Sequence, residues 1–315
     1  MQSPKRHKPT MQASLRVLVD PNLMVTIAQF QHGLFEDLRG RFAAWRAATV
    51  SAFPQRDLFV ASHNDRRVVL HEAIARGEIG VVWRLEACNL DLTTPAAMDC
   101  AARYGRAEIV AWLHDQGYDC TTEAMDAAAT HGHMTILQFL HARGKNCTVN
   151  AMVGASEHGR LDIVRFLHTH RSEGCTVRAM DYAARNGHMD VVRFLHTHRR
   201  EGCSAVAMDF AAAHGHLEAV RFLHAQRVEG CSTYAMDGAA RNGHLAVVQF
   251  LQAHRREGCT RKAAVAAQRH GHKEIATFLK THYQVDTLPS ASRKLQKKRL
   301  APRSLPRLLR VQSIM

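Results

Sequence analysis

Between residues 67 and 282 the apolar positions fall into two kinds of block that alternate along the chain. One is short and built of small residues, as in Ala179-Met180-Asp181-Tyr182-Ala183-Ala184. The other is bulkier: Met189, Val192 and Leu195 lie at helical spacing, and Val191 and Phe194 widen the stripe. Gly187 separates the two, and a glycine in the left-handed conformation stops a helix. Arg199 and Arg200 follow the second block, where cations suit the negative end of a helix. The pattern therefore predicts two short helices per unit. Thr176 and Ser204 are expected as N-caps, because a hydroxyl satisfies a free backbone N–H. Asp181, Asp209 and Asp237 are expected near the positive end of their own helices.

The pair of blocks repeats in register. Ala179-Met-Asp-Tyr-Ala-Ala-Arg-Asn-Gly-His188 returns at Ala207–His216 and at Ala235–His244. Glycines stand at 77, 105, 132, 159, 187, 215, 243 and 271, so each step is 27 or 28 residues. Cys120, Cys147, Cys175, Cys203, Cys231 and Cys259 keep the same beat. One such hairpin is too small to bury its own apolar stripe, so eight units must stack on one another. The expected architecture is an all-α helix-turn-helix solenoid over residues 67–282.

The segment Ala183-Ala184-x-x-Gly187-His188-Met189-Asp190-Val191-Val192-Arg193-Phe194-Leu195 resembles the two-helix core of the ankyrin repeat. Leu70-His71 in the first unit matches the end of that family's Thr-Pro-Leu-His start, whereas later units carry Met-Asp, as at Met180-Asp181. The period is also shorter than the family's ~33 residues. What is missing falls where the family builds a projecting β-turn finger, leaving a short link such as Glu173-Gly-Cys-Thr176. The resemblance implies a protein-interaction scaffold or adaptor, with binding through helix faces in place of fingers. It also implies that the histidines after glycine (His133, His188, His216 and His244) stabilise turns by hydrogen bonding.

Composition adds limits. Of 315 residues 46% are hydrophobic, enough for a folded core. No apolar run approaches the ~18 residues of a membrane span. The first nine residues are basic, but no apolar signal core follows, so the eight cysteines are expected to be reduced thiols. The net charge of +14 is uneven: residues 67–282 carry +3, residues 1–20 carry +3 and residues 283–315 carry +7. A nucleic-acid-binding core would concentrate charge in the array, so nucleic-acid binding by the repeats is not expected.

No catalytic chemistry emerges. His168-x-His170 and His196-x-His198 lie near cysteines, and zinc takes both ligand types. Yet the nearest two cysteines, Cys88 and Cys100, are twelve residues apart. Equivalent cysteines in neighbouring helix pairs, ~8–10 Å apart, cannot form disulfides, which need Cα atoms within ~7 Å. Phosphate-binding, dinucleotide, zinc-protease and nucleophile-elbow motifs are absent. Neither a metal, a cofactor nor an enzyme activity is expected.

Binding potential lies in the positions that vary between copies. Three rows stand out on the first helices. The first contains Cys100, Ala127, Gly154, Tyr182, Phe210, Gly238 and Ala266; the second contains Tyr104, His131, His158, Asn186, His214, Asn242 and His270. The third contains Glu123, Asn150, Arg178, Val206, Tyr234 and Lys262. Solenoids make extended binding surfaces from such rows. Tyr104, Tyr182, Phe210, Tyr234, Arg178, Asn186, His214 and Asn242 are the candidate partner contacts, the aromatics as anchors; gap filling is the competing role for Tyr182 and Phe210.

The flanks divide at residues 20, 66 and 282. Residues 1–20 and the tail, residues 283–315, are basic and are expected to be disordered. In residues 21–66, Leu23, Met24, Ile27, Phe30, Leu34, Phe35, Leu38, Phe42 and Trp45 predict a helical cap over the first repeat. Pro21-Asn-Leu-Met-Val-Thr-Ile-Ala-Gln-Phe30 resembles the opening of an F-box, a module that recruits a ubiquitin ligase. The tail carries Arg293, Lys294, Lys297, Lys298 and Arg299, a pattern of nuclear targeting through an import receptor. Nucleic-acid or anionic-membrane contact is its alternative role. The overall expectation is a monomeric cytoplasmic or nuclear adaptor whose partners are proteins.

Overall fold

The computed structural model describes residues 30–31, 34–47, 65–88 and 90–283. Two compact units divide the chain. The first runs to Ala211 and includes His216–Cys231; the second comprises Ala212–Gly215 and the residues from Ser232 onward.

In the first unit, helix pairs follow the predicted rhythm: Arg67–Arg76 with Ile79–Ala87, Pro95–Arg103 with Ala107–Asp115, and Thr122–His131 with Met134–Ala142. Val149–Glu157 with Leu161–His170 and Arg178–Arg185 with Met189–His198 continue it. The helix Ala205–Ala213, most of which belongs here, precedes Leu217–Gln226. The second unit holds Thr233–Asn242 with Leu245–His254 and Arg261–Arg269 with Lys273–Tyr283.

The first helices pack through small side chains. Ala124, Ala128, Met125, Ala183, Ala184 and Met180 are essentially inaccessible to solvent. Each second helix buries three aliphatic positions, such as Val191, Val192 and Leu195. Gly187 takes φ +75°, and His188 N–H closes the turn on Ala183 O at 2.9 Å. That conformation alone favours glycine. A second constraint acts there as well: a Cβ on Gly187 would stand 2.5 Å from Nδ1 of His216 in the next repeat. Each turn from Gly77 to Gly243 is thus roofed by the side chain that follows the next glycine.

Two expectations about local structure change. Phe30–Gln31 and Leu34–Phe35 form a short antiparallel ladder, with Phe30 opposite Phe35, where a helix was predicted. Aromatic residues favour strands, and Gly33 between them in sequence is a weak helix former. The helix starts only at Glu36, with Glu36 and Asp37 at its positive end, and runs to Ala47. Thr176 also fails to cap: Arg178–Arg185 is preceded by Val177 in helical backbone, with no side-chain cap hydrogen bond.

Candidate protein-binding face

Asp in the recurring Met-Asp step does more than complement its own helix. Oδ1 of Asp126 accepts the backbone N–H of Thr148 at 2.8 Å, and Oδ2 accepts the Thr148 hydroxyl at 2.5 Å. The same two-pronged rung joins Asp99 to Thr121 and Asp181 to Ser204 in the first unit, and Asp237 to Thr260 in the second. In each case the hydroxyl donates to the carboxylate and accepts a backbone N–H two residues on: that of Glu123, Asn150, Val206 or Lys262. Burial pushes Asp99, Asp126 and Asp181 above the ordinary carboxylate range, and the hydrogen bonds from the hydroxyl and backbone pull back without cancelling it.

This network sets the third row of variable positions. Ser232 likewise accepts the N–H of Tyr234. Capping holds the backbone of Glu123, Asn150, Val206, Tyr234 and Lys262, while their side chains and that of Arg178 are exposed. Tyr234 is 50% exposed and Val206 39%. A fixed backbone and an exposed, variable side chain therefore coincide at one residue in each of five repeats.

The other rows are engaged to different degrees. In the first, Cys100, Ala127, Gly154 and Gly238 are buried, and Tyr182 and Phe210 are half-buried. Phe210 lies under the Arg185 guanidinium, 5.4 Å from its ring centroid. Gly154 is needed because a Cβ would collide with the Thr130 side chain, and at Gly238 a Cβ would meet that of Ala213 at 2.7 Å. In the second row Asn186, His214 and Asn242 are exposed and Tyr104 is half-buried. The Nδ2 groups of Asn186 and Asn242 nevertheless donate to Glu157 O and Ala213 O, each at 2.7 Å, so these side chains also brace the stack.

Links between repeats are held by charge. Arg171 pairs with Glu173 and Arg199 with Glu201 in the first unit, and Arg255 with Glu257 in the second. Glu201 also accepts the N–H of Cys175 at 3.3 Å. Burial works against ionisation of Glu201, but the Arg199 hydrogen bond and backbone donors outweigh it and hold the carboxyl at about 2. A Cβ on Gly174 would lie 2.7 Å from Arg199, and one on Gly202 would collide with Arg227, so these two arginines rest on the preceding link glycine. These stacked links stand where a projecting finger would otherwise extend. All eight cysteines are free thiols, and burial pushes Cys147, Cys175 and Cys203 up to about 11.

Sequence reasoning missed the outer helices' ladder of rings. Phe166 stacks on His170 at 4.5 Å between centroids and Phe194 on His198 at 4.3 Å, while His141 and His168 meet the next repeat's Phe166 and Phe194 edge-on. The recurring Phe-Leu-His-x-His string was its signal. Post-glycine histidines act across repeats, not within one turn: the His133 ring bonds Arg103 O at 3.0 Å. Among the described residues no group of three or more His, Cys, Asp or Glu could hold a metal ion, and no helix is long and apolar enough to cross a membrane. Arg293, Lys294, Lys297, Lys298 and Arg299 lie outside the described residues, as does the F-box-like stretch apart from Phe30.

Helix pairs with helices of 8 to 11 residues, joined by short links and by rungs between successive first helices, define a helical repeat protein. A family model for ankyrin repeats in three copies matches residues 124–209 and 152–237. Residues 124–237 thus carry ankyrin repeats, and the helix pairs of the described residues are consistent with an all-α ankyrin-type array. Ankyrin repeats are protein–protein interaction modules. No curated protein matches the chain.

Proposed function

We propose that the protein is a non-enzymatic adaptor that binds other proteins through the exposed face of its first helices. The carrying observation is the third variable row, where the cap fixes the backbone of Glu123, Asn150, Val206, Tyr234 and Lys262 and leaves chemically unlike side chains in solvent. The non-enzymatic reading is supported by how the reactive groups are used. The rung carboxylates are occupied by Thr or Ser, and burial keeps the thiols protonated. A monomer is in keeping with exposed large apolar residues that are few and differ from repeat to repeat, such as Trp83, Val206 and Val228. The helix Glu36–Ala47 suits a capping role: Leu38 and Phe42 are buried, and Arg41 and Asp37 pair with Glu78 and Arg84 of the first repeat. The basic tail serves nuclear import in this reading, placing the adaptor in cytoplasm and nucleus.

Proximity labelling with the full chain and with its Asn150→Ala/Arg178→Ala/Tyr234→Ala variant tests the proposal. All three side chains are exposed, so folding should survive, each change costing within about 0.5 kcal/mol. Loss of a defined set of labelled proteins at unchanged melting temperature is expected. An identical set from both chains would contradict the assignment of this face.

A further inference from the structure

The near balance of charge over residues 67–282 conceals a division. Residues 67–231 hold 17 basic and 19 acidic side chains, a net of −2, whereas residues 232–282 hold eight basic and three acidic, a net of +5. In the second unit Asp237 is occupied by Thr260 and Glu257 by Arg255. Among the described residues neither Arg241 nor Lys262 has a carboxylate within ion-pairing distance, and both are exposed.

Those two cations flank a hollow. Its floor is Gly238, Ala263 and Ala266, and its rim is Tyr234, Arg241 and Lys262, enclosing about 250 Å³. Gly238 is held without a side chain because a Cβ there would meet that of Ala213 at 2.7 Å, and the alanines opposite keep the floor shallow and apolar. Small-molecule sites usually span ~300–1,000 Å³, so this volume suits one or two side chains of a larger partner. Asp237 also borders the space, but both of its oxygens already accept hydrogen bonds from Thr260.

We propose that this hollow receives an apolar side chain from an acidic segment of a partner protein, with flanking carboxylates pairing with Arg241 and Lys262. The proposal rests on the first-helix face being the partner-binding surface and specifies the chemistry of one part of it. Charge decides against the chain's own tail as occupant: residues 283–315 hold eight basic residues and one acid and would be repelled. A nucleic acid is disfavoured because phosphate tracking needs a run of cations, whereas here two cations frame a single apolar floor with Asp237 in its wall.

Selection of a displayed random 12-residue peptide library on the full chain provides the test. Binders should be enriched in Asp and Glu around an apolar residue. Their affinity should fall about tenfold or more in Arg241→Glu/Lys262→Glu and weaken with salt, as charge pairing predicts. The control Arg256→Glu/Lys273→Glu makes the same change in net charge on residues outside the hollow and should leave affinity within about twofold. Melting temperatures of all three chains verify folding. Neutral or basic binders, equal loss in both variants, or failure to select any peptide would overturn the proposal. So would a single-stranded oligonucleotide that depends on Arg241 and Lys262 while acidic peptides do not. If the acidic preference fails while the Asn150/Arg178/Tyr234 variant still loses partners, the interaction surface stands and only its assigned chemistry falls.

Discussion

Two carboxylate networks tie successive repeats together, and they obey opposite electrostatics. On the inner side, the Asp rungs are buried and their partners are neutral hydroxyls and amides, so desolvation prevails and Asp126 titrates above the ordinary range. At the links, Glu201 sits closer to water beside a guanidinium and titrates at about 2. The comparison shows that hydrogen bonds favour the charged carboxylate in both networks, and that the depth of burial decides whether they prevail. It also separates the roles. Rungs specify geometry at high cost if broken, whereas links add modest attraction at the rim.

Removing a rung should have the largest effect. Asp126→Ala leaves the Thr148 N–H and hydroxyl without their acceptor, and should cost about 2–3 kcal/mol in urea unfolding. A loss under about 0.5 kcal/mol would show that the rung is ornamental. The reverse experiment uses the gap at Val153, which stands where five other repeats have Asp99, Asp126, Asp181, Asp209 and Asp237, next to the uncapped helix Arg178–Arg185. Val153→Asp should engage Thr176 and raise stability by about 1 kcal/mol, a typical cap contribution. Destabilisation would mean that this junction has settled into a geometry that excludes the rung.

Changes at the links should be milder. Glu201→Gln should cost about 0.5–1 kcal/mol, since partly exposed ion pairs contribute little. The smallest effect, and the sharpest discriminator, is the pH dependence of the two sites. The folded pKa of Asp126 lies above its reference of 3.8, so the folded state binds more protons and this group's contribution diminishes as pH rises from 3.8 through the raised value. For Glu201 the shift is downward from 4.5 to about 2; its contribution is full above 4.5 and is lost as pH falls toward 2. Stability differences between the wild type and Asp126→Asn or Glu201→Gln, measured from pH 3 to 7, should therefore slope in opposite directions. Parallel slopes would remove the distinction between the networks.

Much of the fold was legible because repetition multiplies weak local signals. Gly187 marked a helix stop, Met189–His198 appeared as an amphipathic helix, and Ala183 and Ala184 implied close packing; all three follow from local spacing. The rung was not legible, since Asp126 and Thr148 lie 22 residues apart and each has a sufficient local explanation, one as a helix-dipole partner and the other as a cap. The same limit applied to the candidate face. The sequence shows that Phe210 and Tyr234 vary, but not that Phe210 lies under Arg185 while Tyr234 stands half in solvent. The hollow beside Gly238 depends on side chains of two successive first helices coming together, and the charge division at residue 231 vanished in the total for the whole array.

The hydroxyl in each rung faces two ways. Thr121 gives its only proton to Asp99 and receives the N–H of Glu123, so the helix it caps is secured by a residue of the helix before it. Asp and Asn, good caps elsewhere, do not fit: Asp has no proton to give to a facing carboxylate, and Asn lacks an atom that both gives and accepts. The dependence runs one way along the chain. Shortening the array from its C-terminal end leaves every remaining cap with its anchor, whereas cutting after Arg106 would strip the anchor from Thr121. Wherever a rung is present, succession thus has a direction, with the start of one first helix underwritten by the first helix of the repeat before it.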